Sequence, residues 1–365
     1  MPSRAPYADI PFIHLLRAIA VSMVLYDHLV GEYLDKSKKT EWLPKIWLDH
    51  YILNPFGIIQ SFGFMGVALF FLVSGYIITH VASSESRREF LIKRAFRIYP
   101  PLILSVLICV LCGRWAGQEA PSMNAILLNF TLLNYWTIPQ IVIQGVAWSL
   151  VIEMDFYLIT LLLLTTLKRS PCLHVILQSI LVGVCMATCR SLGPEFFLFC
   201  AGFAFVPYLV VGQLMYYRLR QRISVAWFIP LLLLQVGLIQ WGILAIHTQF
   251  LPVGNSYLIN FTFSLAIFTV LATSGIKAIE GFPKRVAAMS YSLYLLHGSI
   301  GIALMNILTK RLAYLPSLVI TLAAILAAAY LSFRFVEKPS QKFARTLIVA
   351  TQRIFSAIPR SRQIE

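Results

Sequence analysis

Charge is scarce in this chain: of 365 residues only 12% are Asp, Glu, Lys or Arg, and the acids number just 15. A water-soluble domain carries about 25% charged residues; at 59% hydrophobic and a mean hydropathy of +0.77, a soluble fold is excluded. Internal repeats, low-complexity tracts and Pro- or Gly-rich linkers are also missing, so one membrane-embedded unit is expected rather than a string of modules. Cysteine is sparse, and Cys109, Cys112, Cys172, Cys185, Cys189 and Cys200 all fall in or beside apolar stretches. The CxxC at Cys109 and Cys112 has no acidic or imidazole partner in its apolar helix, so these residues read as packing and no metal site is expected. The first apolar run carries a polar pair and no prompt small-residue cleavage site, so it reads as a retained span rather than a removed leader.

What is there is apolar length. Windows of about 20 residues place spans near 11–30, 57–80, 99–116, 143–167, 171–189, 196–217, 225–246, 257–275, 287–308 and 315–336. The fold class expected is therefore all-α, a polytopic membrane protein of about ten transmembrane helices. Most of the 30 lysines and arginines collect in segments on one side, including Arg87 to Arg97 and everything from Arg334 onward, which places both termini in the cytoplasm. The net charge of +15 is mostly this asymmetry, and nucleic acid is not an expected partner. Residues 1–340 form the expected membrane domain and 341–365 a basic cytoplasmic tail.

Within the first span, Arg17 and His28 stand eleven positions apart, about three helical turns, so an α-helix points both the same way, roughly 16 Å apart along its axis. An ionisable group in a bilayer costs about 2.5–3.5 kcal/mol even on mild scales, so two aligned ones suggest chemistry rather than snorkelling. His14 lies close to the same stripe, and Asp27, one position off, points elsewhere. Lys93, Arg94 and Arg97 precede the third span and run straight into it; one turn apart, the two arginines can converge on one polyanion such as a nucleotide-bearing cofactor, although positive-inside bias alone also produces such clusters. Ser149, Glu153 and Tyr157 make a polar stripe on the fourth span, with Glu153 a counter-ion for an arginine, a sugar ligand or a helix-end acid. Ser290, Tyr294 and His297 share one face of the ninth, where interhelical packing is an equal alternative. Glu337-Lys338-Pro339 reads as a cap or interface rather than a catalytic element.

Taken in order, these segments resemble the membrane acyltransferase-3 family over nearly the whole chain. Arg17 and His28 match its Arg, ten residues, His motif; Gly66 to Tyr76 resembles its GVxLFFxxSG pattern; Arg94 and Arg97, with Ile98-Tyr99-Pro100, match its RxxR element. Ser149 to Tyr157 matches SLxxExxFY, Tyr291 to His297 resembles YSLYLLH, and Phe335 to Pro339 resembles FVExP. The resemblance implies transfer of an acyl group, commonly acetyl from acetyl-CoA, to a carbohydrate hydroxyl on an exopolysaccharide, O-antigen, glycolipid or oligosaccharide. It implies a bacterial cytoplasmic (inner) membrane location, with partners in polysaccharide assembly, and the stand-alone type without a fused SGNH domain. Acyl-CoA enters as donor substrate, with no permanently bound cofactor. His28 is then the general base, with a covalent acyl-imidazole the less favoured variant. Arg17 serves the thioester or its oxyanion, and Glu153 orients the acceptor or an arginine. Lys93, Arg94, Arg97 and Tyr99 bind the donor, and Ser149, Tyr157, Tyr294 and His297 bind substrate. Two rivals stay open: a transmembrane acyl shuttle feeding a separate transferase, and a solute transporter, for which inverted repeats would speak.

Overall fold

Ten helices long and apolar enough to cross a membrane stand in a computed structural model, which describes residues 10–37, 42–246 and 255–357. They are α1 (Pro11–Ser37), α2 (Gln60–Ala82), α3 (Arg87–Trp115), α4 (Gly145–Leu162), α5 (Pro171–Thr188), α6 (Pro194–Leu219), α7 (Val225–Ala245), α8 (Ser256–Thr273) and α9 (Ser290–Leu308), then α10 (Tyr314–Ser332). A π turn at Phe333–Glu337 leads from α10 into α11 (Lys338–Ala357).

Helices α2 and α6 form the centre, apolar on all sides and mostly buried. They cross at two glycines: a Cβ on Gly75 would lie 1.8 Å from the Leu209 carbonyl oxygen, and one on Gly212 would lie 2.1 Å from that of Leu72. Van der Waals contact drives helix association where lipid removes the hydrophobic advantage, and small residues permit the closest approach. Around this pair stand α1, α4 and α8 against α2, while α9 bridges α1, α3 and α10. Leu111, Leu162, Leu233 and Val270 on the peripheral helices are exposed, as lipid-facing side chains are.

Two features depart from the hydropathy reading. Helix α3 starts at Arg87, twelve residues before the expected 99, under a capping box in which Ser86 and Glu89 satisfy each other's backbone N–H groups. The basic cluster is therefore helical throughout and rigidly continuous with the span. Residues 341–357 of the expected tail are part of α11, which packs Ala344 and Ile348 inward and lies along α3; residues 358–365 lie outside the described part.

Candidate active site

Arg17 lines a cavity of about 1000 Å³ at one end of the bundle. The walls come from α1, α2, α3, α4, α9 and α11, and they bring His14, Lys93, Arg94, Arg97, Ser149, Glu153 and Tyr157 together with Arg17. Arg94 is buried, its guanidinium over the rings of Phe90 (5.5 Å) and Tyr157 (5.8 Å) and 4.0 Å from the buried Glu85 carboxylate. Lys93 pairs with the same carboxylate at 2.9 Å. Stacking and pairing fix both cations in place before any ligand arrives. Glu153 accepts a hydrogen bond from the Tyr157 hydroxyl. Glu337 accepts from Ser292 Oγ at 2.9 Å and Gln341 Nε2 at 3.2 Å, and the charges of Glu153, Glu337 and Arg97 all act on Arg17.

His28 lines a second cavity, about 800 Å³, at the other end. Its Nδ1 lies 2.6 Å from Glu32 Oε2. In the neutral ring a proton on Nδ1 makes that bond and leaves the Nε2 lone pair as a base, the arrangement in which a carboxylate fixes a histidine's tautomer. Asp27 lines this cavity as well. A straight helix would point Asp27 away; a π turn at Asp27–Gly31 interrupts that helix, and Asp27 and His28 line the same cavity. The turn is seated on a strained loop: Gln60, Ser61 and Phe62 all have left-handed φ (50°, 43°, 74°). That loop presses Ser61 against Gly31 and the Asp27 carboxylate against Gly63, where a Cβ would meet oxygens at 2.2 and 2.1 Å respectively. Strain of this kind collects where a site needs a set shape. Lys45 closes the rim by bonding Asp35 (2.7 Å) and Asp49 (2.6 Å).

The two cavities share a wall made of Val67 and Tyr294. Tyr294 is held by Ser149 Oγ at 2.9 Å and donates to the Val146 carbonyl at 3.1 Å, with Phe70 edge-on to its ring at 5.5 Å. His297 is buried behind this wall and lines neither cavity; its Nδ1 donates to the Tyr294 carbonyl (2.6 Å), and its ring lies 5.1 Å from that of His28. The structure does not bring His297, expected with the substrate-binding residues, to either cavity; its ring packs beside those of Tyr294 and His28. Tyr99 likewise faces away, against the Leu102, Val106 and Leu150 cluster, so Ile98 and Arg97 carry that stretch's share of the cavity.

Four carboxylates that the sequence alone does not assign to the site line the cavities or pair with their cations. Glu32 stands one turn after His28, a spacing that could have identified it. Glu85 sits in a short connection, and only the fold brings it to Lys93 and Arg94. Asp27 was hidden by the π turn. Glu337, read as a cap, is a buried carboxylate of the arginine cavity wall.

A family model described as an acyltransferase domain matches residues 10–334. Nodulation protein 10 of Rhizobium leguminosarum bv. viciae is 24% identical over 324 residues, covering 78% of this chain and 83% of that protein. O-acetyltransferase OatA of Staphylococcus aureus (strain MRSA252) is 26% identical over 367 residues, covering 84% of this chain; the chain spans 59% of OatA's length. No solved structure matches. With the family match running from the start of α1 through α10, and its motifs lining two cavities that meet inside the bundle, the chain belongs to the acyltransferase-3 family of membrane acyltransferases.

Proposed function

We propose that this protein moves an acyl group, acetyl by preference, from acyl-CoA to a carbohydrate hydroxyl, with the donor held in the arginine cavity and the acceptor in the histidine cavity. The observation that carries the reading is the position of Arg17 and His28 on one helix, each lining a cavity, with Val67 and Tyr294 lining both cavities. The name of OatA, an O-acetyltransferase, supports an oxygen acceptor and an acetyl group.

The donor's phosphates lie against Arg94 and Arg97, whose forks suit phosphate oxygens, with the Lys93 ammonium in support. Its thioester reaches past Arg17 to the Val67–Tyr294 neck. There the sugar hydroxyl loses its proton to Nε2 of His28 as the oxygen attacks the thioester carbonyl, and the imidazolium is stabilised by Glu32. Negative charge on the carbonyl oxygen faces Arg17. The C–S bond breaks, the proton passes from His28 to the departing thiolate, and the products are the sugar ester and free CoA. Because acyl-CoA is made in the cytoplasm, the arginine cavity faces that side, in keeping with the lysine and arginine around it.

Purified protein given labelled acetyl-CoA and a soluble oligosaccharide tests this directly. Ester and free thiol form in equal amounts with no other protein present. Ester that forms only when a second protein is added makes the chain an acyl shuttle instead, and solute movement without thiol release makes it a transporter. Mass spectrometry of surface glycans from a deletion strain then identifies the carrier by its missing acyl mass.

A further inference from the structure

The arginine cavity has a second group of cations that the transfer mechanism leaves unused. Arg334, at the end of α10, and Lys338, Lys342 and Arg345 of α11 line it, all of them exposed at its mouth. Lys338, Lys342 and Arg345 recur at spacings of four and three, so they form one stripe of α11 turned to the cavity. Lys338 Nζ also stands over the Phe333 ring at 5.1 Å. The flank beside this stripe holds Ala344 and Ile348 buried, and Ser340 Oγ donates to the Phe96 carbonyl of α3 at 2.9 Å, which ties α11 to the α3 cluster. The two groups differ in depth: Arg94 is buried, whereas the α11 cations meet solvent.

Resting on the donor reading above, we propose that the α11 stripe binds a phosphate monoester, the 3′-phosphate of coenzyme A, as a second site distinct from the one that α3 offers the diphosphate. The donor carries these two anionic groups at separate places along its length, with the thioester at the far end. A thioester directed at the neck puts the diphosphate at mid-depth and the ribose phosphate at the mouth, which is the order of the two cationic tiers. A monoester carries about −1.5 to −2 charge at neutral pH and three acceptor oxygens, enough to engage several of the four side chains. The neighbouring Glu337 is turned inward and already accepts two hydrogen bonds, so it does not oppose an anion at the mouth. The consequence is selection of CoA over carriers that share its thiol arm but lack this phosphate.

The test uses the full chain in phosphatidylcholine nanodiscs, comparing the binding of CoA with that of 3′-dephospho-CoA by competition against labelled acetyl-CoA. Charge-assisted phosphate contacts predict a preference for CoA of about 10- to 100-fold. The double variant Lys342→Ala/Arg345→Ala brings CoA down to the affinity of the dephospho form, whereas Arg97→Gln weakens both in parallel. Equal binding of the two ligands by the unaltered protein overturns the proposal. So does a double variant that keeps its preference while losing association with nanodiscs containing phosphatidic acid, since the stripe then serves a lipid headgroup. Failure of either ligand to compete at all removes the donor reading itself, a different outcome from equal competition.

Discussion

In the proposed transfer, His28 and Arg17 divide the work by position. The bond from Nδ1 to Glu32 holds the ring so that Nε2 alone can accept a proton, and proton removal of this kind is worth about 10²–10⁴-fold in rate. His28→Ala is expected to lower kcat by that factor while the protein still binds CoA in the other cavity; a binding titration beside a transfer assay shows both. Glu32 is a positioning residue, so Glu32→Gln lowers kcat about tenfold, some 1.4 kcal/mol, and leaves KM for the donor in place. A purely structural role would instead move both or neither. Arg17→Gln removes charge facing the developing oxyanion, with an expected loss of about 10²–10³ in kcat. At this scale the motifs were legible in the chain because burying Arg17 and His28 in an apolar run is costly. Their partners were legible only in part. Glu32 sits at a readable spacing, but Glu85 and Glu337 reach the arginines through tertiary packing that no periodicity reports.

Among the elements, the neck between the cavities sets what can pass. Val67 is apolar and buried, and Tyr294 is tied at its hydroxyl by two hydrogen bonds and braced by Phe70 and His297. Val67→Ala is expected to raise the rate with butyryl-CoA relative to acetyl-CoA, and Val67→Phe to suppress transfer of both without loss of CoA binding; a series of acyl chain lengths measures it. The histidine cavity depends in turn on the π turn and its strained loop. Gly63→Ala would drive a methyl group into the Asp27 carboxylate and is expected to cost about 1–3 kcal/mol, read as a lower melting temperature together with lost transfer. The ten spans were readable because each is a long apolar run. The π turn was not, since a widened turn leaves no mark in hydropathy. The early start of α3 was hidden because a window on hydropathy rejects Arg87 to Arg97, although Ser86-x-x-Glu89 carries the capping signal. Helix α11 escaped for a similar reason: its apolar stripe is too narrow to register as a span, yet it seats the helix against α3.

On the scale of the whole molecule, the two cavities lie at opposite ends of one bundle, and the proposed transfer has the donor cavity facing the cytoplasm. Lys45 marks the histidine end. Burial works against its ammonium, but the bonds from Asp35 and Asp49 outweigh that and hold its pKa above the ordinary lysine value. A raised folded-state value means the rim's contribution is complete below the ordinary lysine pKa and fades only as pH climbs through the raised one, so the rim stays closed at every physiological pH. The cations of α3 and α11 mark the other end, and under the proposed function the preference of lysine and arginine for the cytoplasmic face has that end facing inside. Single cysteines placed at Asp35 and at Lys342, in a variant whose six native cysteines are replaced, turn this into a measurement. A membrane-impermeant thiol reagent on intact cells should modify the cysteine at 35 and spare the one at 342, with labelling at 342 appearing once the membrane is opened. The reverse pattern would place the donor cavity outside, where no acyl-CoA is made, and labelling of both positions in intact cells would contradict the opposite-sided placement of the two cavities. Adding CoA to opened membranes should then slow labelling at 342 and not at 35, because only that cavity holds the donor.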